Sequence, residues 1–253
     1  MTNQFLQDII TNKRPVYFIS PHFDDAILSA GALMSYLSKK IKVNVVTVFT
    51  KADKGDTISA KQFLRQCGYT NATTLFADRA KEDASVLEPI ADMVITLGAT
   101  DALWRKKYHK NIVSYLFPFI PEAQVLYPTY RFHISKGHLV KDDMVLVEQI
   151  AEKLKKIIEK NAVVFCPIGI GKHVDHVLTR KACEKLNREL IYWSDFPYNK
   201  DEAEEEKVLK KFSFDTNLEK KEKLVKGYKT QYHAMFPHGF PKQPEVFLCK
   251  NHE

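Results

Sequence analysis

Two short apolar runs in the sequence each lead into a cluster of histidine and aspartate residues. The first run, residues 15–19 (PVYFI), is followed by His22-Phe23-Asp24-Asp25, and the second, residues 162–167 (AVVFCP), by His173-Val174-Asp175-His176. Short apolar runs of this kind are typical of buried strands, and parallel α/β sheets bind ligands beyond the carboxyl ends of their strands. We therefore expect the two clusters to meet at one sheet edge and to bind one metal ion, with Zn²⁺ as the expected ion.

The order of elements around the first run predicts a parallel sheet. A strand at 17–19, an amphipathic helix at 26–39 and a buried strand at 43–49 form a βαβ unit, whose two strands run parallel. A strongly amphipathic helix at 142–160 precedes the second apolar run. We predict an α/β fold with a Rossmann-like, mainly parallel sheet, helices on both faces and the active site at the C-terminal ends of the strands.

The chain is expected to form a single domain over residues 1–253, with a core over about 15–232 and a C-terminal extension over 233–253. Residues 104–140 are rich in aromatic residues, proline and histidine, and are expected to form loops and short helices over the crevice. The remaining predicted elements are helices at 59–67, 79–87 and 177–190, and strands at 93–97 and 191–193.

Composition narrows the function classes. The four cysteines form no CxxC pair, so a cysteine zinc site and disulfides are not expected. No signal sequence or membrane-spanning run is apparent, which predicts a cytoplasmic protein. The net charge of +7 is spread over mixed-charge stretches without a nucleic-acid motif. It indicates either solvated helix faces or an anionic partner, such as a phosphorylated sugar, an anionic glycoconjugate substrate or a membrane surface. The sequence does not indicate an oligomeric state.

The spacing within the clusters suits a catalytic metal site, which has three protein ligands and one open position. His22 and Asp25 lie three residues apart, as do His173 and His176. One histidine of the second pair would complete the metal ligands while the other acts on the substrate. Asp24 is positioned to act as a general base. The alternative is that Asp24 or Asp25 only caps the following helix.

Asp175, inside the second cluster, can hold one tautomer of a histidine through a hydrogen bond. Together with the spacing of the two clusters, this makes metal-assisted hydrolysis the leading hypothesis for the chain.

These motifs resemble those of the LmbE/PIG-L family of zinc-dependent N-acetylglucosaminyl deacetylases. Residues 21–26 (PHFDDA) are similar to the family's (A/P)HPDDE signature, and residues 167–176 (PIGIGKHVDH) to its P-x-G-x-G-x-H-x-D-H run. Weaker similarities are the R-x-x-E-D pattern at 79–83, DALWR at 101–105, DFPY at 195–198 and YKTQ at 228–231. Phe23 and Ala26 depart from the family's usual proline and glutamate.

The resemblance implies specific roles. It makes His22, Asp25 and His176 the metal ligands, Asp24 the general base, and His173 the acid that faces the oxyanion. It also makes Arg79 a contact to the sugar, and we extend this expectation to Trp104 and Arg105 in the neighbouring motif. The implied metal is Zn²⁺, with Fe²⁺ as the alternative.

The function expected on this basis is hydrolysis of an acetyl or other short acyl group from the amide nitrogen of an N-acetylglucosamine-type sugar or glycoconjugate. The alternatives are an amidase for another small N-acyl compound, such as a thiol-sugar conjugate or an antibiotic intermediate, and a non-catalytic sugar-binding protein. The absence of GxGxxG after the first strand disfavours a dinucleotide-binding protein.

Overall fold

A seven-stranded sheet organises the chain. The computed structural model describes residues 2–109, 111–199 and 209–250. The strand order is β3-β2-β1-β4-β5-β7-β6. The strands are β1 Val16–Ser20, β2 Val43–Lys51, β3 Met93–Thr100, β4 Val163–Pro167, β5 Glu189–Trp193, β6 Lys210–Phe214 and β7 Glu245–Cys249.

Helices fill the connections between these strands. They are α1 Thr2–Thr11, α2 Asp25–Leu37, α3 Ile58–Gln66, α4 Ala72–Leu87, α5 Ile112–Leu116, α6 Pro121–Gln124, α7 Lys141–Ile157, α8 Val174–Glu184, α9 Leu218–Val225 and α10 Lys229–Met235. A short 3₁₀ helix covers Ile134–Lys136. The prediction of loops and short helices over 104–140 is confirmed for the described residues, 104–109 and 111–140.

The two apolar runs become the central strands because both of their faces are covered. Every residue of β1 and β4 is buried, as expected for strands at the centre of a parallel sheet. Phe18 of β1 pairs with Val45 of β2 and with Phe165 of β4, all in parallel register. The chain leaves β1 towards β2 on one side and adds β4 on the other, so the strand order reverses between β1 and β4.

Helices cover both faces of the sheet, as predicted. One apolar cluster joins α2 to the sheet through residues such as Leu33 and Met34. The other joins α7 through Val147, Ile150 and Leu154. In the part of the chain that the structure describes, no helix is both long and apolar enough to cross a membrane.

The predicted boundaries of the core are wrong at both ends. The stretch predicted as an extension, 233–253, contains β7, which lies inside the sheet and pairs antiparallel with both β5 and β6. Its Phe247 and Leu248 are fully buried. At the other end, Leu6 and Ile9 of α1 pack into the same core. A five-residue strand after a charged, turn-rich stretch has too weak a pattern to predict such pairing.

Candidate metal and catalytic centre

The two histidine–aspartate clusters meet beyond the ends of β1 and β4. His22 follows β1 by two residues, and Asp25 opens α2. His173 precedes the first residue of α8, and His176 lies in the first turn of that helix. One ligand atom from each of His22, Asp25 and His176 lies within 4.8 Å of the others. The structure therefore brings together the three residues that the family resemblance implies as metal ligands.

A tight turn holds the first cluster in place. The Ser20 hydroxyl donates to the carbonyl of His22 over 2.6 Å and accepts the amide of Ala26 over 3.0 Å. The Asp25 carboxylate accepts the backbone amide of His22 over 2.9 Å. Asp24 occupies the N-cap position of α2, yet its side chain makes no capping hydrogen bond. The structure therefore gives no support to helix capping as the role of Asp24.

Each histidine of the donor set turns one nitrogen towards the same Asp25 oxygen. His22 Nδ1 lies 3.0 Å and His176 Nε2 lies 3.3 Å from Asp25 Oδ2. The opposite nitrogens contact buried carboxylates, with His22 Nε2 at 3.2 Å from Asp175 and His176 Nδ1 at 2.6 Å from Asp195. Protons on these outer nitrogens leave the inner lone pairs free for a metal, an arrangement typical of metal-binding histidines.

The electrostatic field at the donor set also favours a cation. Burial lowers the pKa of His22, but hydrogen bonds to Asp175 and Asp25 outweigh burial and raise it to about 10. Burial raises the pKa of Asp25, but the neighbouring His176 and His22 bring it well below the usual range. Carboxylates that stabilise a positive charge on a histidine this strongly also attract a metal ion. The residues present therefore fit a divalent metal with nitrogen and oxygen ligands, such as Zn²⁺.

Asp175 is fixed from behind by a buried arginine. Arg105 Nη2 donates to Asp175 Oδ1 over 2.6 Å, and the amide of Ala102 donates to Asp175 Oδ2 over 3.0 Å. Arg105 Nε lies 3.0 Å from Asp143 Oδ1, so one guanidinium bridges two carboxylates. His22, His173 and Asp175 form a second group with metal-ligand spacing. The Asp175 carboxylate, however, is already engaged by Arg105, Ala102 and His22.

Asp195 plays the corresponding role for His176, and sequence reasoning did not assign it. Besides contacting His176, its carboxylate accepts the amides of Gly169 and Ile170 over 2.7 and 2.9 Å. One side chain thus fixes both a histidine ring and the loop after β4. Its position directly after the strand predicted at 191–193 was the available signal, because an aspartate there follows the same rule as His22.

The donor set forms the floor of a cavity of about 470 Å³. The floor also includes Asp24 and His173, and the walls include Arg79, Tyr130, Tyr198 and Gln231. Gly171 allows one wall to form: a Cβ at this position would lie 2.8 Å from Tyr198 Cγ, and its φ is +81°. Tyr130 and Tyr198, to which sequence reasoning assigned no role, enclose the space opposite the metal ligands.

The side chains of Asp24 and His173 are poised for proton transfer and hydrogen bonding. Burial and the charge of Asp25 raise the pKa of Asp24. His173 Nδ1 accepts the amide of Asp175 over 3.2 Å, which places the proton of a neutral ring on Nε2. Burial lowers the pKa of His173 to about 3. The Nε2–H of His173 is therefore available to donate a hydrogen bond, and the role of acid that the resemblance implies for His173 stays a prediction.

The predicted substrate contacts divide into two groups. Arg79 lies in the cavity wall with its guanidinium 5.5 Å from the centroid of the Phe63 ring. Arg105 lies behind Asp175, and Trp104 is fully buried against Phe76 with its indole N–H bonded to Asp56 over 2.7 Å. Neither lines the cavity over the donor set. The expectation that Trp104 and Arg105 contact the substrate is therefore corrected.

The two lysines that follow Arg105 also lie away from the donor set. Lys106 and Lys107 line a separate cavity of about 290 Å³ beside Arg105. The two residues that depart from the family signature, Phe23 and Ala26, are both buried. Phe23 packs in an apolar cluster with Trp104 and Val174, so its role here is to join the two motif loops.

A doubly wound α/β fold with a His₂Asp donor set at its strand reversal, beside a further aspartate and histidine, defines a class of metal-dependent hydrolases. A family model described as GlcNAc-PI de-N-acetylase (PIG-L) matches residues 17–187. The chain belongs to this PIG-L/LmbE family of deacetylases, a zinc-associated family of hydrolases.

Individual relatives agree with this assignment. The chain is 26% identical to a 2'-N-acetylparomamine deacetylase of Niallia circulans over 208 residues, 74% of this chain and 68% of the relative. Its fold matches the zinc-inhibited form of a teicoplanin deacetylase with a TM-score of 0.71 and 22% identity, covering 92% of this chain and 97% of the other. A deacetylase of the A40926 pseudoaglycone matches with a TM-score of 0.66 and 22% identity over 94% and 97% of the two chains.

Proposed function

We propose that the chain is a Zn²⁺-dependent N-deacetylase that removes the acetyl group from an N-acetylated amino sugar carried on a larger glycoconjugate. The observation that carries the proposal is the placement of Asp24 and His173 beside His22, Asp25 and His176 on one cavity floor. The relatives support the substrate class, because those named above act on N-acetylated aminoglycoside or glycopeptide compounds.

His22, Asp25 and His176 would hold the metal. A Zn²⁺ ion in such a site lowers the pKa of a water molecule and polarises the amide carbonyl. Asp175 and Asp195 fix the imidazole rings of His22 and His176 through hydrogen bonds. The nitrogen atoms that would bind the metal therefore face one point.

Asp24 acts as the general base in this proposal. Its carboxylate takes one proton from the attacking water as the oxygen–carbon bond to the acetyl carbonyl forms. The amide nitrogen then receives that proton as the carbon–nitrogen bond breaks. The products are acetate and the free amine, and Asp24 returns to its ionised form.

His173 stabilises the negative charge that develops on the carbonyl oxygen. Because its Nδ1 accepts the Asp175 amide, its Nε2–H is the group available to donate. A fixed donor of this kind acts on the transition state more than on the substrate. Arg79, Tyr130 and Tyr198 in the walls would position the sugar, and the cavity volume of about 470 Å³ suits a ligand of this size.

The test is acetate release under defined metal loading. The purified chain is stripped with a chelator, reloaded with Zn²⁺ or, without oxygen, Fe²⁺, and assayed with N-acetylglucosamine, 2'-N-acetylparomamine and an N-acetylated glycopeptide. We expect equimolar acetate and free amine, only with metal, and little product from Asp24→Asn. Metal binding without product from any acetylated sugar would overturn the proposal. Release from a non-sugar amide alone would favour the amidase alternative.

A further inference from the structure

A large apolar surface lies on the segment 106–136, outside the catalytic centre. Phe119 is 95% exposed, and Ile112, Tyr115 and Leu116 are each about 70% exposed, at 74%, 71% and 67%. Phe117, Ile120 and Phe132 of the same segment are also exposed, at 49%, 45% and 68%. Single exposed apolar residues are ordinary, but a continuous group of large ones marks an interaction site.

The segment is folded so that these side chains point outwards. Asn111 caps α5 by accepting the amide of Ser114 over 3.0 Å, and the buried Ser114 hydroxyl donates to the carbonyl of Ala123 over 2.7 Å. The Gln124 side chain donates to the carbonyls of Ser114 and Phe117 over 3.0 and 3.1 Å. A backbone bridge joins Lys106 to Val125. These hydrogen bonds hold the polar groups on the inner side of the segment, and the apolar side chains remain exposed on its outer side.

The most exposed residues of α5 share one side of that helix. Ile112, Tyr115 and Leu116 stand at positions i, i+3 and i+4, and Phe119 follows three residues after the helix ends. The polar Ser114 points to the interior. A five-residue helix is far shorter than the ~20 residues needed to span a bilayer. Such a surface suits an apolar layer that it enters only superficially.

The charged residues of the segment are mostly positive. Residues 106–136 contain five Lys or Arg residues and one acidic residue, Glu122. The Glu122 carboxylate is engaged, accepting the amide of Ile58 over 2.7 Å. Lys106, Arg131 and Lys136 are exposed. Exposed aromatic and aliphatic side chains flanked by lysine and arginine complement a lipid surface with anionic headgroups.

We propose that the segment 106–136 docks the protein on the surface of an anionic phospholipid bilayer. Ile112, Tyr115, Leu116 and Phe119 enter the headgroup layer, and the flanking basic side chains contact the lipid phosphates. Tyr130, which lines the catalytic cavity, directly precedes Arg131 and Phe132 of this surface. Docking would therefore bring the cavity mouth close to the membrane. This inference does not depend on the proposed function.

The test is sedimentation of the full chain with vesicles at low ionic strength. Vesicles of phosphatidylcholine alone are compared with vesicles containing phosphatidylglycerol. We expect binding to the anionic vesicles that weakens as salt is added. A Tyr115→Ser/Phe119→Ser variant should bind about tenfold more weakly or worse, because two large side chains no longer leave water. Val145→Ser, at a residue 54% exposed on α7, is the matched control and should bind like the wild type.

Charge is tested separately with a Lys106→Gln/Arg131→Gln/Lys136→Gln variant. Each basic residue near an anionic surface contributes about fivefold in binding, so this variant should lose most of its preference for anionic over neutral vesicles. Circular dichroism and thermal unfolding report whether each variant is folded, independently of vesicle binding.

Three results would overturn the proposal. One is failure of the wild-type chain to bind anionic vesicles at low salt. Another is equal weakening by the Val145→Ser control. The third is a wild-type dimer, seen by light scattering and made monomeric by Tyr115→Ser/Phe119→Ser, that binds no vesicles. That outcome would assign the surface to a second copy of the chain.

Discussion

The cavity floor and the segment 106–136 differ in which side chains they bury and which they expose to water. On the floor and directly behind it, His22, Asp25, His176 and Asp175 are charged or polar groups held largely away from water, and each has a partner of opposite character. In the segment, large apolar side chains such as Phe119 stand in water. Burying charged groups costs free energy unless every partner is present. Exposing large apolar side chains to water costs free energy unless another molecule covers them.

This contrast determines how each region should respond to substitution. Removing one partner from a buried charged network leaves another charge uncompensated and typically costs about 3–5 kcal/mol. Exposed apolar residues contribute little to the folded state, so they can be changed one at a time. Substitutions on the floor should therefore alter metal binding and chemistry, whereas substitutions in the segment should alter encounters with other molecules.

The largest effect is expected from removal of a metal ligand. His176→Ala and Asp25→Ala each delete one of three protein donors, so the purified variant should retain little zinc and acetate release should fall to background. Metal analysis and acetate release measure the two effects. His138→Ala, at an exposed histidine, is the control and should keep both properties. A His176→Ala variant with a full equivalent of zinc would remove His176 from the ligand set.

A loss of chemistry with retained metal is expected next. Asp24→Asn preserves size but removes the base, and turnover should drop by about 10²–10⁴-fold, the usual contribution of a positioned proton acceptor. Zinc content and thermal stability should stay close to those of the wild type, because the Asp24 side chain makes no capping bond. Normal turnover in this variant would show that Asp24 does not transfer the proton.

The floor was largely predictable from sequence, because its chemistry is local. His22 and Asp25 come from one turn, and His173 and His176 from another, so strand-end position and spacing indicate the site. Asp195 and Asp101 lie at the ends of β5 and β3 and reach the two histidines only through the sheet order. The position of a single aspartate after a strand indicates the site, but without a spacing pattern it does not indicate which histidine the aspartate contacts.

The two residues wrongly expected to contact the substrate show that a sequence motif does not indicate which way its side chains point in the fold. Arg105 and Trp104 stand in a family-like motif, and the resemblance suggested contact with the substrate. In the fold, the stretch turns inwards after β3, so the guanidinium of Arg105 contacts Asp175 and Asp143.

The pairing of β7 was also not predictable. This strand joins the sheet because β5 presents an open edge to it, and no pattern within 245–249 specifies that edge.

An intermediate effect should follow from loosening a histidine ring. Asp195→Asn keeps a hydrogen-bond acceptor near His176 but removes the negative charge, and metal affinity should fall by about 10–100-fold. Competition with a chromogenic chelator measures this change. At saturating zinc, most of the turnover should return, which separates Asp195 from Asp24. Turnover that stays low with the site fully loaded would instead place Asp195 in the chemical step.

The smallest effect is expected from the basic residues of the segment. The net charge of +7 and the exposed Lys106, Arg131 and Lys136 give an anionic acceptor a favourable field, whereas a neutral acceptor gains nothing. For an anionic N-acetylated sugar, kcat/KM should exceed that of N-acetylglucosamine by less than about tenfold, the lower end of electrostatic steering. Because salt shortens the range of these charges to about 8 Å at physiological ionic strength, the advantage should shrink as salt is added.

The Lys106→Gln/Arg131→Gln/Lys136→Gln variant should reduce this advantage and leave kcat/KM for the neutral sugar unchanged. An advantage that survives both high salt and the triple substitution would place its source in the cavity wall, where Arg79 is the cation beside the donor set.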